Sequence, residues 1–166
     1  MEGTDLEKIV SVLKEKYEAE MLHSEQLYDF PTVSLKKEKV VEIIKFLYDH
    51  PDTKLQFLTT LCGIHYPDLN QIAVMYQLHN MASGFRVRLK TYLPIEKPHV
   101  ASLTSVFPAA NWMERETYDF FGVIFEGHPN LKRILNVDEM IIFPLRKEYP
   151  LEDQVREDKN DSMFGR

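Results

Sequence analysis

Between residues 72 and 90 the side chains change character at almost every step, a pattern that a helix cannot turn into one buried face. Ile72, Val74, Tyr76 and Leu78 alternate with Ala73, Met75, Gln77 and His79; beyond Asn80 to Gly84, Phe85, Val87 and Leu89 alternate with Arg86, Arg88 and Lys90. Period two puts each set on one side of a strand, so the two runs are read as an antiparallel hairpin with one face on a core. The apolar run from Gln56 to Tyr66 adds a further strand. Arg86, Arg88 and Lys90 then form a basic stripe, read as a solvated face, with a docking surface for an acidic partner as the alternative.

Helical spacing brackets this sheet. Leu6, Ile9, Val10, Leu13 and Tyr17 mark an amphipathic first helix, and Val40, Ile43, Ile44 and Leu47 a second, which His50-Pro51-Asp52 stops. The segment from Met21 to Leu35 is expected to hold a strand broken at Pro31. Val100 to Phe107 reads as a short helix ended by Pro108. Asn111 and Glu114 have the spacing of a capping box, which predicts a helix from Trp112 to Phe121 that Gly122 ends in the left-handed conformation. The fold class is therefore α+β: two layers, a mixed β-sheet with helices on one face, and an extended C-terminal arm.

The arm begins at Pro129. Pro129, Pro144 and Pro150 interrupt both periods, yet Leu131, Ile134, Leu135, Val137 and Met140 to Phe143 are apolar and need something to cover them. Beyond Leu151 half of the residues are charged, which reads as a tail disordered in isolation. The division is thus an α+β domain over 1–128 and, over 129–166, an arm with a charged tail that docks on partners.

Composition narrows the function. A chain of 166 residues buries roughly 70 % of its unfolded surface and builds its own core. Its net charge of −6 argues against nucleic-acid binding and against a polybasic membrane patch. Cys62 is the only cysteine, which excludes an internal disulfide, a cysteine zinc site and an iron–sulfur cluster held within the chain. The charged stretch Met1 to Lys16 does not read as a signal peptide, and no apolar run is long enough to span a bilayer, so membrane association is expected only through a partner. The glycines form neither a dinucleotide fingerprint nor a phosphate loop, and no two histidines stand four apart. His65 and His128 are read as turn histidines, and Cys62 as a small buried residue at a strand end.

The densest polar cluster is Glu114, Arg115, Glu116 and Asp119. Glu116 and Asp119 share a helix face, so an acid/base pair of the glycosidase kind is one reading. The other is a structural helix in which Arg115 clamps carboxylates. The second is preferred, because a single helix cannot flank a substrate bond from two sides. Arg146-Lys147, between Pro144 and Pro150, suits a partner contact, since the guanidinium fork binds carboxylates at two points.

As one string, Glu114-Arg115-Glu116-Thr117-Tyr118-Asp119-Phe120-Phe121-Gly122-Val123-Ile124-Phe125-Glu126-Gly127-His128-Pro129 resembles the signature of the C-type subunit, the 30 kDa subunit family, of proton-pumping NADH:quinone oxidoreductase (respiratory complex I). The likeness continues through Leu131-Lys132-Arg133-Ile134-Leu135 and Pro144-Leu145-Arg146-Lys147-Glu148-Tyr149-Pro150-Leu151, and upstream through Pro108-Ala109-Ala110-Asn111-Trp112. Two positions depart: Phe143 stands where many relatives have His, and Glu148 where they have Asp.

The resemblance implies a cofactor-free structural subunit of the peripheral arm, packed against the quinone-site (D-type) subunit with the cluster-bearing B-type and G-type subunits nearby. FMN and the iron–sulfur clusters would lie in partner subunits, which pass electrons from NADH to quinone coupled to proton translocation. It also implies a peripheral location on the cytoplasmic side of the cell membrane. Glu114, Arg115, Glu116, Asp119, Gly122, His128, Pro129, Arg133, Pro144, Arg146 and Lys147 are carried over as structural and interface residues, with none catalytic, cofactor-binding or metal-ligating. The alternatives are the equivalent subunit of a membrane-bound hydrogenase or other-donor dehydrogenase, and a free-standing hydrolase using Glu116 or Asp119.

Overall fold

Three helices cover one face of a five-stranded sheet. The structure, a computed structural model, describes residues 5–150, so the charged tail expected after Leu151 lies outside the described residues. Helix α1 spans Asp5–Lys14, and strands β1 (Met21–Leu27) and β2 (Phe30–Leu35) follow as a hairpin. Next come α2 (Val40–Asp49), β3 (Phe57–Tyr66), β4 (Gln71–His79) and β5 (Arg86–Pro94). The sheet order is β1-β2-β5-β4-β3; β2 and β5 are parallel and the other neighbours antiparallel, as a mixed sheet requires.

The expected hairpin of β4 and β5 forms, from Gln71↔Pro94 to His79↔Arg86. Asn80 closes its turn by accepting the N–H groups of Ala82 (2.9 Å) and Ser83 (3.2 Å) on Oδ1 and donating from Nδ2 to the Thr53 carbonyl (2.8 Å). Register then sorts the side chains. Leu61, Ile72, Val74, Tyr76, Leu89 and Val33 share one face and belong to the core cluster with Ile9 and Leu13 of α1 and Ile43, Ile44 and Leu47 of α2. The opposite face, with Met75, Gln77, Arg88 and Lys90, contributes nothing to that cluster. The second helix stops where His50-Pro51 demands it: His50 is extended, and its N–H still bonds the Phe46 carbonyl.

Pro31 does not break a strand. The break falls at Tyr28-Asp29, with Tyr28 at a φ of 53°, and Pro31 lies inside β2. The ladder with β5 begins only at Thr32, so at Pro31 the strand has one neighbour and the missing N–H interrupts no second ladder. Val100 to Phe107 is not a helix either. His99–Ala101 is a short strand, β6, and a single turn follows in which Val106 and Phe107 both donate to the Leu103 carbonyl. Its partner is β7 (Ile124–Glu126), paired in parallel, and α3 (Ala110–Phe121) is the crossover between them. Pairing with a strand more than twenty residues away overrides the local pattern. The basic stripe is also less uniform than expected: Arg86 is exposed, Arg88 half-buried and Lys90 buried.

Candidate functional site

The signature residues gather on α3 and on residues 129–150, which have no helix or strand and fold back over the end of that helix. The helix begins at Ala110, and the residue before it, Ala109, supplies no side-chain cap, so the expected Asn111–Glu114 box is absent. Asn111 lies within the helix, and Glu114 turns inward. Its Oε1 accepts the Leu103 N–H (2.6 Å) and its Oε2 the Ser102 hydroxyl (2.7 Å). Burial pushes this carboxyl up from 4.5 to about 7, although both donors favour the ionised form. Glu114 thus ties α3 to the loop after β6.

Asp119 lies one helical turn and a residue further on, and it is fully buried. Its Oδ2 receives three consecutive backbone N–H groups, from Ile134 (3.1 Å), Leu135 (2.8 Å) and Asn136 (2.9 Å). Its Oδ1 receives Arg133 Nη1 (2.7 Å) and Asn136 Nδ2 (3.0 Å). Burial alone would raise its pKa, but these donors, led by the Asn136 N–H and the Arg133 guanidinium, hold it well below the usual carboxylate range. Consecutive N–H groups converging on one oxygen form an anion nest, here filled by the protein's own carboxylate.

The end of α3 is closed from the same segment. An α-helix leaves its last four carbonyls without intrahelical partners. Here Tyr118 O receives the Gly122 N–H (2.8 Å), Asp119 O Arg133 Nη1 (2.8 Å), Phe120 O the Leu145 N–H (3.2 Å) and Phe121 O Arg146 Nε (2.8 Å). Two guanidinium groups therefore sit at the negative end of the helix dipole. Both lie over the ring of Phe143, with Arg133 at 5.2 Å and Arg146 at 4.7 Å from its centroid. Gly122, at a φ of 77°, ends the helix as its sequence position predicted.

Among the described residues Arg115 holds no carboxylate. Its Nε and Nη2 donate to the carbonyls of Lys132 (3.1 Å) and Arg133 (2.9 Å), which again fastens the arm. His128 accepts the Asn130 N–H on Nδ1 (3.0 Å) and donates from Nε2 to the Asn111 carbonyl (3.1 Å), beside exposed Pro129. Pro144 is half-buried, and Lys147 reaches the domain through its backbone N–H, which donates to His65 Nδ1 (2.9 Å). Hence His65 is not a turn histidine: it is a buried residue of β3, in phase with Leu61 on the core face, and that phase was the available signal. Cys62 lies in the middle of β3, not at its end; burial raises its thiol pKa against the pull of Arg88. His65, Ser102, Asn136 and Phe143 join the site without having been singled out for it from sequence.

The structure does not bring Glu116 and Asp119 together in one open site. Glu116 is exposed on the rim of a cleft of about 270 Å³, with Cys62, Gly63, Phe121 and Leu145. Asp119 is buried beneath the arm, with both carboxylate oxygens occupied by donors. Among exposed charged residues such as Asp138, Glu139 and Lys147, this region also exposes large apolar side chains: Trp112, Leu135, Val137, Ile141 and Leu145.

The sequence matches the family described as respiratory-chain NADH dehydrogenase, 30 Kd subunit, over residues 33–155. The chain belongs to that family. Relatives within it include the C-type subunit of NADH-quinone oxidoreductase from Mycolicibacterium gilvum, 37 % identical over 82 % of this chain and 60 % of the relative. The second C-type subunit of the same oxidoreductase from Rhizobium meliloti is 43 % identical over 69 % of this chain and 63 % of the relative. The chain thus spans about three-fifths of the length of these curated relatives. A trypsin-resistant fragment (1-134) of Nqo5 superposes with a TM-score of 0.61 and 28 % identity, covering 77 % of this chain and all of the fragment. A chain of the archaeal membrane-bound sulfane sulfur reductase shares the fold, with a TM-score of 0.73 at 21 % identity over 92 % of this chain and 95 % of that one. In this 30 kDa family member, no helix among the described residues is long and apolar enough to cross a membrane.

Proposed function

We propose that this chain is a non-catalytic structural subunit of the peripheral arm of an NADH:quinone oxidoreductase, in which it positions the quinone-site subunit. The reaction it supports is electron transfer from NADH through FMN and iron–sulfur clusters to quinone, coupled to proton translocation. Those cofactors belong to partner subunits, with the D-type subunit as the direct neighbour and the B-type and G-type subunits close by. The chain sits on the cytoplasmic side of the cell membrane and is held there through the complex. Identities of 37–43 % to proteins named for NADH and quinone favour this donor over the hydrogenase-like or other-donor alternatives.

The observation that carries the reading is the division of labour within the signature. Glu114, Arg115, Asp119, Arg133 and Arg146 bond to one another, to Ser102, Asn136 and Glu148 and to backbone groups, which supports a structural role for them. They fasten the arm so that Val137 and Ile141, the latter 92 % exposed, stand out from it. Covering a side chain of that size is worth roughly 1.5–3 kcal/mol, and a fixed platform loses little entropy on docking. The residues expected at the interface therefore act by shaping the arm, and the apolar residues between them supply the contact.

The test is a tagged pull-down of full-length chain from detergent-solubilised membranes of its source, with Val137→Asp and Ile141→Asp beside the wild type. The wild type is expected to bring down an NADH-oxidising, flavin- and cluster-containing assembly, and each variant at least tenfold less of it. Equal recovery by the variants overturns the docking role of the arm. A nickel hydrogenase core in the eluate changes the reaction, and a wild-type chain recovered alone overturns the subunit reading.

A further inference from the structure

The sheet face turned away from the helices carries its cations in a row. Arg86, Arg88 and Lys90 follow one another along one side of β5, in a chain whose formal charge is −6. Among the described residues none of the three has a carboxylate within ion-pair distance; Glu25, on the same face of β1, lies 3.8 Å from the His23 imidazole. Like charges along one strand repel unless an anion or solvent answers them.

These cations are built into the surface. The Arg88 guanidinium lies 5.0 Å from the centroid of the Phe30 ring, and its Nε donates to Gln77 Oε1 (3.2 Å). Gln77 is only 7 % exposed, yet its buried Nε2 has no acceptor among the described residues. Lys90, 8 % exposed, rises between Ser34 and Met75 on the adjoining strands. At the far end Tyr66 of β3 and Tyr92 of β5 meet at 5.9 Å across β4. The face thus has a polar floor, a line of cations and aromatic walls.

We propose that this face docks an acidic segment of a neighbouring polypeptide. Arg88 and Lys90 receive its carboxylates, and Met75, Phe30 and Tyr92 pack on its apolar groups. A nucleic acid gathers affinity from many phosphates at once and meets a chain of net negative charge here, so a short acidic segment fits three cations better. The surface is separate from the arm, because α3 packs on the core face. The inference rests on the reading of this chain as part of an assembly.

The test places a photo-cross-linking amino acid at Met75 in the full chain, expressed in its source, and identifies the adducts in membranes by mass spectrometry. The expected adduct is one peptide segment of net negative charge, captured at least tenfold less in the R88E/K90E variant. Capture should return when two acidic residues of that segment are changed to lysine. The R88Q/K90Q pair, which removes the charge and keeps a polar side chain, is expected to retain the wild-type melting temperature and to lose capture several-fold. A neutral or basic segment, a lipid or nucleic-acid adduct, or capture indifferent to these substitutions overturns the proposal. An intact assembly without an adduct overturns this inference alone; a chain recovered without partners overturns the assembly reading as well.

Discussion

Arg133 Nη1 donates at once to the Asp119 carboxylate (2.7 Å) and to the Asp119 carbonyl (2.8 Å), so one nitrogen fixes both the side chain and the backbone of one helical residue. The other end of the same guanidinium donates to the carbonyls of Met140 (2.6 Å) and Ile142 (3.1 Å). A single side chain therefore binds the last turn of α3 to two separate points of the arm. A buried pair of this kind contributes modestly when intact, but breaking it leaves an uncompensated charge.

Asp119→Asn is expected to cost about 3–5 kcal/mol, because its amide would face converging donors. Limited proteolysis should then cut at Lys132 and Lys147 before the sheet domain unfolds. Wild-type cutting rates would show that the arm is held by something else.

Gly122→Ala and Gly127→Ala separate strain from crowding. Both glycines have positive φ, 77° and 84°, but an added Cβ at Gly122 meets Phe143 at 2.6 Å and Arg146 at 2.8 Å, while at Gly127 nothing lies within 4 Å. Gly127→Ala should cost about 1 kcal/mol from backbone strain alone, and Gly122→Ala at least about 2 kcal/mol more, in urea unfolding. Equal losses would refute the close packing at the helix end.

The two buried carboxylates of α3 give opposite pH dependence. Glu114, raised from 4.5 to about 7, favours the protonated folded form, so its contribution is complete below the unfolded value and is lost as pH rises through about 7. That amounts to about 3 kcal/mol at most. Asp119, held low, contributes above the ordinary carboxylate range and is lost as pH falls below about 3.9. Glu114→Gln keeps an acceptor for one of its two partners and a donor for the Ser102 hydroxyl, so it should flatten the decline in stability between about pH 5 and 8. Persistence of that slope in the variant would assign it to another group.

Phe143→Ala removes the ring beneath both guanidinium groups and the edge contact with Tyr118, whose centroid is 6.4 Å away. A loss of about 2–4 kcal/mol in the melt of the full chain is expected from packing and cation–π contributions together. Phe143→His, which puts a smaller ring at this position, should recover part of it. A neutral Phe143→Ala would mean that the arginines are held by their hydrogen bonds alone.

Periodic and local signals were enough for α1, α2, the β4–β5 hairpin and the helix ending at Gly122, and the signature string was enough for the family. Period two over Ile72 to Lys90 and helical spacing over Val40 to Leu47 record which side of an element meets the core, so they survive without knowledge of the partner. The tertiary structure decided the rest. Val100 became a strand because β7 was there to pair with it, and Glu114 left its own helix terminus because the Ser102–Leu103 loop offered two donors. His65 met an arm residue 82 positions away, and Asp119 met its five donors in a segment without any period at all. Hydrogen bonds between distant, irregular backbone leave no spacing in a sequence, because they depend on where the chain returns and not on how it repeats.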